Sequence, residues 1–192
     1  MLSRKSRLLR FGIVLTTFFA GIAVMGSPPA SGGQIVERNN SATTTIDDIQ
    51  QFRWYAISAR HSGQCLDVAG ASLADGAHLI QWPCRYQHNQ QWAAQSAGSG
   101  YYRLVVRNSG KCLDVSGASH DDGAHLIQWP CHNGQNQQWR FVNLTDGYYR
   151  LVARHSGKCL DVSGASHAEG AHLIQWPCHN GQNQQWRITA VD

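Results

Sequence analysis

Charge is scarce in this chain. Only 15% of its 192 residues are Asp, Glu, Lys or Arg, against roughly 25% in an ordinary soluble domain. That excludes a disordered polyelectrolyte and a helical protein laced with ion pairs. No acid occurs before Glu37, whereas Arg4, Lys5, Arg7 and Arg10 supply four of the 16 basic residues. Beyond them 12 basic residues meet 12 acidic ones, so the formal net charge of +4 belongs to the N-terminal decade. No electropositive footprint for nucleic acid remains. Methionine occurs only twice, and no stretch sustains the 3.6-residue apolar period of an amphipathic helix. The closely spaced cysteine pairs of a zinc site are missing as well. What is abundant is glycine (19) and tryptophan (seven). With little charge, this composition points to a turn-rich β protein, and the length fits one domain plus a short extra segment.

The N-terminal residues carry that extra segment. After the basic decade, Phe11 to Met25 is mostly apolar, and Gly26, Ser27, Pro28, Pro29 and Ala30 follow. Charge, apolar run and small-residue exit in this order read as a secretory signal peptide, residues 1–30, with cleavage after Gly26 or Ala30. The run is short for a membrane span and holds Thr16 and Thr17. The expectation is therefore a secreted, extracellular protein with no stable membrane span after processing. Residues 31–51 are rich in Ser, Gly, Asn and Thr and read as a flexible linker, since they hold too little apolar surface to offset ordering entropy.

The remainder, 52–192, is one unit written three times, at about 52–98, 99–145 and 146–192. The period is 47 residues: Cys65, Cys112, Cys159; Cys84, Cys131, Cys178; Trp92, Trp139, Trp186. Copies two and three differ at four of 40 aligned positions, and copy one matches copy two at 25 of 40. Each copy opens on an apolar run such as Tyr102–Val106, turns at Ser-Gly, and continues through Cys-Leu-Asp-Val. A turn at Asp75-Gly76, Asp122-Gly123 or Glu169-Gly170 follows, then Leu-Ile-Gln-Trp, a polar turn and a last run after Gln-Gln-Trp. That is about four short strands per copy. Twelve strands in three units exclude a helical solenoid and fall below the usual blade number of a propeller. A closed barrel with threefold pseudosymmetry hides every sheet edge.

Gln-Gln-Trp at Gln90–Trp92, Gln137–Trp139 and Gln184–Trp186, with Cys-Leu-Asp-Val and Trp-Pro-Cys in each copy, resembles the ricin B-chain-like lectins, also called family 13 carbohydrate-binding modules. The resemblance covers residues 52–192. It implies an all-β fold, a β-trefoil of three pseudo-symmetric four-strand repeats, which agrees with the strand count. Six cysteines behind a signal peptide predict disulfides. The repeat symmetry allows either closure within each copy (Cys65–Cys84, Cys112–Cys131, Cys159–Cys178) or a cyclic exchange between copies, and the resemblance implies the first. His132 and His179 adjoin Cys131 and Cys178, but neither a metal nor any other cofactor is expected.

Sugars present hydroxyls and one face of C–H groups. Binding them needs a carboxylate, amides and an aromatic plate. In the family, an Asp accepts from sugar hydroxyls, a Trp stacks on the ring, and an Asn with its neighbouring Gln completes the hydrogen bonds. The resemblance carries these roles onto Asp67, Trp82, Asn89 and Gln90; Asp114, Trp129, Asn136 and Gln137; and Asp161, Trp176, Asn183 and Gln184. Asp67, Asp114 and Asp161 lie between Leu and Val, so strand alternation turns them from the core. Trp92, Trp139 and Trp186 are expected inside. His78, His125 and His172 recur and read as solvated. Copy one departs at Cys84-Arg-Tyr-Gln-His-Asn89, which lacks the Gly of the other copies. Ile80, Ile127 and Ile174 stand where the family often has Gln.

The expected function is a secreted non-catalytic lectin with up to three sugar sites, binding glycans or polysaccharides of galactose, mannose or xylose type multivalently. The alternative is a protein-binding trefoil, a protease inhibitor or toxin-partner subunit. An enzyme is not expected. Glycoside hydrolysis uses two carboxylates about one bond, and each copy offers one site-like Asp.

Overall fold

The computed structural model describes residues 53–191. The signal peptide and linker expected over 1–51 lie outside the described residues. Twelve strands run in chain order: β1 Trp54–Ala59, β2 Cys65–Val68, β3 Leu79–Trp82, β4 Trp92–Gly98, β5 Tyr101–Val106, β6 Cys112–Val115, β7 Leu126–Trp129, β8 Trp139–Asn143, β9 Tyr148–Ala153, β10 Cys159–Val162, β11 Leu173–Trp176 and β12 Trp186–Val191. Short 3₁₀ turns join several of them.

Six strands close a barrel. β1 pairs with β4, β4 with β5, β5 with β8, β8 with β9, β9 with β12, and β12 returns to β1, all antiparallel. The closing seam runs in unbroken register from Trp54 opposite Val191 to Ala59 opposite Trp186. The remaining strands form three hairpins, β2–β3, β6–β7 and β10–β11, one per copy. This is the expected β-trefoil.

Side-chain alternation fills the barrel. Along β1, Tyr55, Ile57 and Ala59 are buried; along β12, Trp186 and Ile188 are buried while Arg187 and Thr189 are exposed. Trp92, Trp139 and Trp186 are wholly buried, as expected, with Leu104, Leu151 and Phe141 in the same cluster. Each indole also satisfies its N–H. Nε1 of Trp92, Trp139 and Trp186 donates to the carbonyls of Leu66, Leu113 and Leu160 at 3.1, 3.2 and 3.1 Å. The barrel is thus tied to the hairpin of its own copy. The disulfides close within copies, Cys65–Cys84, Cys112–Cys131 and Cys159–Cys178.

Neighbouring copies are stitched together by a buried amide. Gln128, in copy two, donates through Nε2 to the carbonyls of Ser72 and Ala74 in copy one, at 2.9 and 2.8 Å. Its Oε1 accepts from Ser109 Oγ at 2.8 Å. Gln175 does the same to Ser119 and Asp121, and Gln81 to Ser166 and Ala168. The pattern is cyclic: one to three, three to two, two to one. A buried amide whose bonds are all made specifies a single arrangement, because any other docking would strand its polar atoms.

Candidate functional site

Hairpin register builds one polar face per copy. In β6–β7, Asp114 sits opposite Ile127 and Cys112 opposite Trp129. Positions two apart on a strand share a face, so carboxylate, isoleucine, disulfide and indole lie together. The loop after the disulfide folds back through a 3₁₀ turn, Gln135–Gln137, whose Asn136 and Gln137 are buried. The result is a cleft of about 420 Å³ lined by Asp114, Ala118, Ile127, Trp129, His132 and Asn136, among others. A 410 Å³ cleft holds Asp161, Trp176, His179 and Asn183, and a 400 Å³ cleft holds Asp67, Trp82, Arg85, Asn89 and Gln90. All three sit toward the small end of ligand pockets, which span about 300–1,000 Å³.

The indoles meet solvent: Trp129 and Trp176 are each 41% exposed, and Trp82 is half-buried. Each rests against the preceding copy in the ring. A Cβ at Gly76 would lie 3.8 Å from Cζ3 of Trp129, one at Gly123 3.7 Å from Trp176, and one at Gly170 3.7 Å from Trp82. The acidic-Gly turns of one copy therefore steady the aromatic plate of the next.

The acids face the clefts but are not exposed. Asp67, Asp114 and Asp161 retain only 3, 2 and 2% of their surface. Strand alternation keeps them from the apolar core, and the returning loop then covers them. Both amide donors fall on one oxygen. Asn136 Nδ2 and Gln137 Nε2 reach Asp114 Oδ2 at 3.0 and 2.7 Å, with the same lengths to Asp67 and Asp161. Oδ1 accepts from neither amide.

Gln137 spends its second N–H on the Pro130 carbonyl, and its Oε1 accepts from His132 N. Wholly buried, it positions the acid and shapes the loop. Gln90 and Gln184 make the equivalent bonds. Asn89, Asn136 and Asn183 line the clefts, and Nδ2 of each also donates to the carbonyl of Val68, Val115 or Val162.

Burial raises all three acids. Asp67 is pushed up to about 6 from 3.8; bonds from Gln90 and Asn89 and the charge of Arg85 oppose the shift without cancelling it. Asp114 and Asp161 are raised for the same reason, against the pull of Gln137 and Asn136 on one, of Gln184 and His179 on the other.

Sequence reading did not assign His132, His179 or Arg85 to these clefts. His132 Nε2 lies 3.6 Å from Asp114 Oδ2, and His179 Nε2 3.5 Å from Asp161 Oδ2. The signal was the position directly after the second Cys, His in two copies and Arg in one. The missing Gly of copy one has its explanation here. A Cβ at Gly134 would fall 2.5 Å from Asn136 Oδ1 and 2.6 Å from His132 Cε1. Copy one, with Arg85 for the histidine, carries Gln87 at this place, while Tyr86 takes a left-handed φ of 54°. Copy one keeps Asn89 on Asp67 beside Gln87, so Gly134→Ala is expected to displace the His132 ring from Asp114. A crystal structure of the variant should show the ring moved; an unmoved ring would refute this.

A family profile described as the ricin-type beta-trefoil lectin domain matches residues 53–186. The chain belongs to the ricin-type β-trefoil lectin family. This lectin domain is similar to a designed threefold-symmetric protein, ThreeFoil, at 54% identity and a TM-score of 0.71, covering 72% of this chain and 99% of that one. An exo-beta-1,3-galactanase from Clostridium thermocellum matches at 37% identity and a TM-score of 0.72, over 74% of this chain and 31% of the enzyme. A seed lectin of Trichosanthes anguina is 49% identical over 49 residues, 26% of this chain and 9% of its own length. The lectin domain thus corresponds to a minor part of both natural relatives. Membership in the family makes it a carbohydrate-binding module of a generally non-catalytic kind.

Proposed function

We propose that the protein is a secreted, non-catalytic lectin that engages glycans through three clefts at once. The observation that carries this reading is the triplicate pairing of a covered carboxylate with a solvent-facing indole. Asp67, Asp114 and Asp161 offer Oδ1 to sugar hydroxyls, and Trp82, Trp129 and Trp176 stack on the C–H face of the ring. Asn89, Asn136 and Asn183 supply the neighbouring polar contact. Gln90, Gln137 and Gln184 act through the acid they hold. Three intact disulfides suit an oxidising, extracellular setting. A trefoil that recognised only protein would leave this triplicate set without a use.

A shallow monosaccharide site of this kind binds at about millimolar strength, near −4 kcal/mol. Three sites on one branched or repeating glycan gain on the order of 10²–10⁴ by avidity. The test is a glycan array spanning galactose-, mannose- and xylose-based ligands, followed by titration calorimetry. Three sites per chain and tighter binding of polyvalent glycan are expected. A single site, or no gain with valency, would overturn the multivalent reading.

Acid should switch the first cleft off. Only the ionised Asp67 keeps both oxygens as acceptors, Oδ2 for Asn89 and Gln90 and Oδ1 for a sugar hydroxyl, and its pKa is about 6. Affinity there is expected to be full near pH 8 and to fall as pH drops through 6. Titrations on a variant in which Asp114 and Asp161 are replaced by Ala isolate that cleft; flat affinity from pH 8 to 5 would refute the assignment.

A further inference from the structure

The three hairpins bring a second set of side chains together, away from the clefts. His78, His125 and His172 each directly precede the second strand of a hairpin, one residue before Leu79, Leu126 and Leu173. Their backbones pair cyclically through bridges of His78 with Ile127, His125 with Ile174 and His172 with Ile80. The carbonyl of each is also fixed, accepting from the amides of Ala69, Ser116 and Ser163 at 3.1, 3.0 and 3.0 Å. The pseudo-threefold axis therefore passes between three anchored histidines.

Their rings meet edge to face, with centroids 5.0–5.1 Å apart. One nitrogen from each ring lies within 4.8 Å of the others, and all three residues are exposed. No hydrogen bond among the described residues engages these ring nitrogens.

We propose that His78, His125 and His172 form a three-imidazole site for a late first-row divalent cation, zinc in the first instance. Zn–N bonds of 2.0–2.1 Å in tetrahedral geometry set nitrogens about 3.4 Å apart. The widest pair here needs to close by at most about 1.4 Å, within reach of exposed rings on fixed backbone. The donor set is all imidazole with no carboxylate, which suits zinc, nickel or copper and not calcium or magnesium. Three protein ligands leave the outward coordination position to water or an exogenous ligand. Each copy donates one ligand, so the ion clasps the three hairpins where they converge. The expectation of no metal rested on cysteines and on His132 and His179; the axial trio, read from sequence as three separate solvated residues, becomes one cluster only after folding.

The proposal is independent of the sugar reading, and its test does not use sugar. Untagged, EDTA-stripped full-length protein is titrated with ZnCl₂ in a calorimeter. One Zn²⁺ per chain is expected. Outer-shell partners of a metal typically account for 10–100-fold in affinity, so loss of a direct ligand in His125→Ala should weaken binding by at least roughly tenfold. His61→Ala and His120→Ala remove the other histidine–histidine contacts (His61 with His167 and His120 with His155) and should leave the affinity unchanged. Circular dichroism checks that each variant folds, and Co²⁺ absorption reports the geometry, a tetrahedral spectrum being expected. Absence of binding, a stoichiometry other than one, or equal affinity in His125→Ala would overturn the site. So would loss of the single site in His61→Ala or His120→Ala.

Discussion

Asp67→Asn is expected to weaken sugar binding at the first cleft while making the protein more stable. The carboxylate is 3% exposed and titrates at about 6 instead of 3.8. A folded pKa raised above the unfolded value means that protonation favours the folded state. Its stabilising contribution is full below pH 3.8 and lost as pH rises through 6. At pH 8 the ionised, covered acid costs about 3 kcal/mol relative to its protonated form. Asparagine keeps an acceptor for Asn89 and Gln90 and removes the charge. A stability gain of up to about 3 kcal/mol at pH 8, shrinking to little at pH 4, is therefore expected by urea denaturation. Hydrogen bonds to charged groups contribute about 1.5–3 kcal/mol, so affinity at that cleft should fall by roughly 10–150-fold. Unchanged or lower stability at pH 8 would show that the acid is not held at a cost. Such opposition between fold and activity is what a binding group in a covered position produces.

Trp139→Ala is expected to cost about 3–5 kcal/mol, a large share of the 5–15 kcal/mol that holds a typical domain together. The indole is wholly buried, and its N–H satisfies the Leu113 carbonyl of the hairpin. Truncation leaves a cavity and an unpaired buried acceptor. The urea midpoint should fall with the slope unchanged. A loss under about 1 kcal/mol would mean that the barrel is not packed around its tryptophans. By contrast Trp129→Ala, at a residue 41% exposed, should affect stability far less and binding far more.

The difference between these two tryptophans was legible through the family resemblance, which implies a buried indole after Gln-Gln and a stacking one before Pro-Cys. Trp139 opens an apolar strand after Gln-Gln, whereas Trp129 precedes Pro130-Cys131 at a strand end. The 47-residue period likewise exposed the strand count, the disulfide choices and the acids. The covering of Asp114 was not legible, because alternation tells which face a side chain takes and not what folds over it. Gln137 could not be separated from Asn136 either, since the two amides differ only in which partners surround them after folding. The exchanges between copies, Gln128 into the Ser72–Ala74 turn and Gly76 against Trp129, depend on how the copies dock. A repeat read one copy at a time carries no information on that order, and the axial histidines were missed on the same ground.

The glycine-to-indole contacts carry a consequence for how such a molecule can originate. Each aromatic plate is carried by its own hairpin and flanked by the turn of the neighbouring copy, so a lone 47-residue ancestor would have braced its tryptophan on one side only. The second brace arrives when three such peptides associate, or when tandem duplication joins them into one polypeptide. Losing a single unit afterwards would open the circle and leave one of the two remaining indoles unbraced.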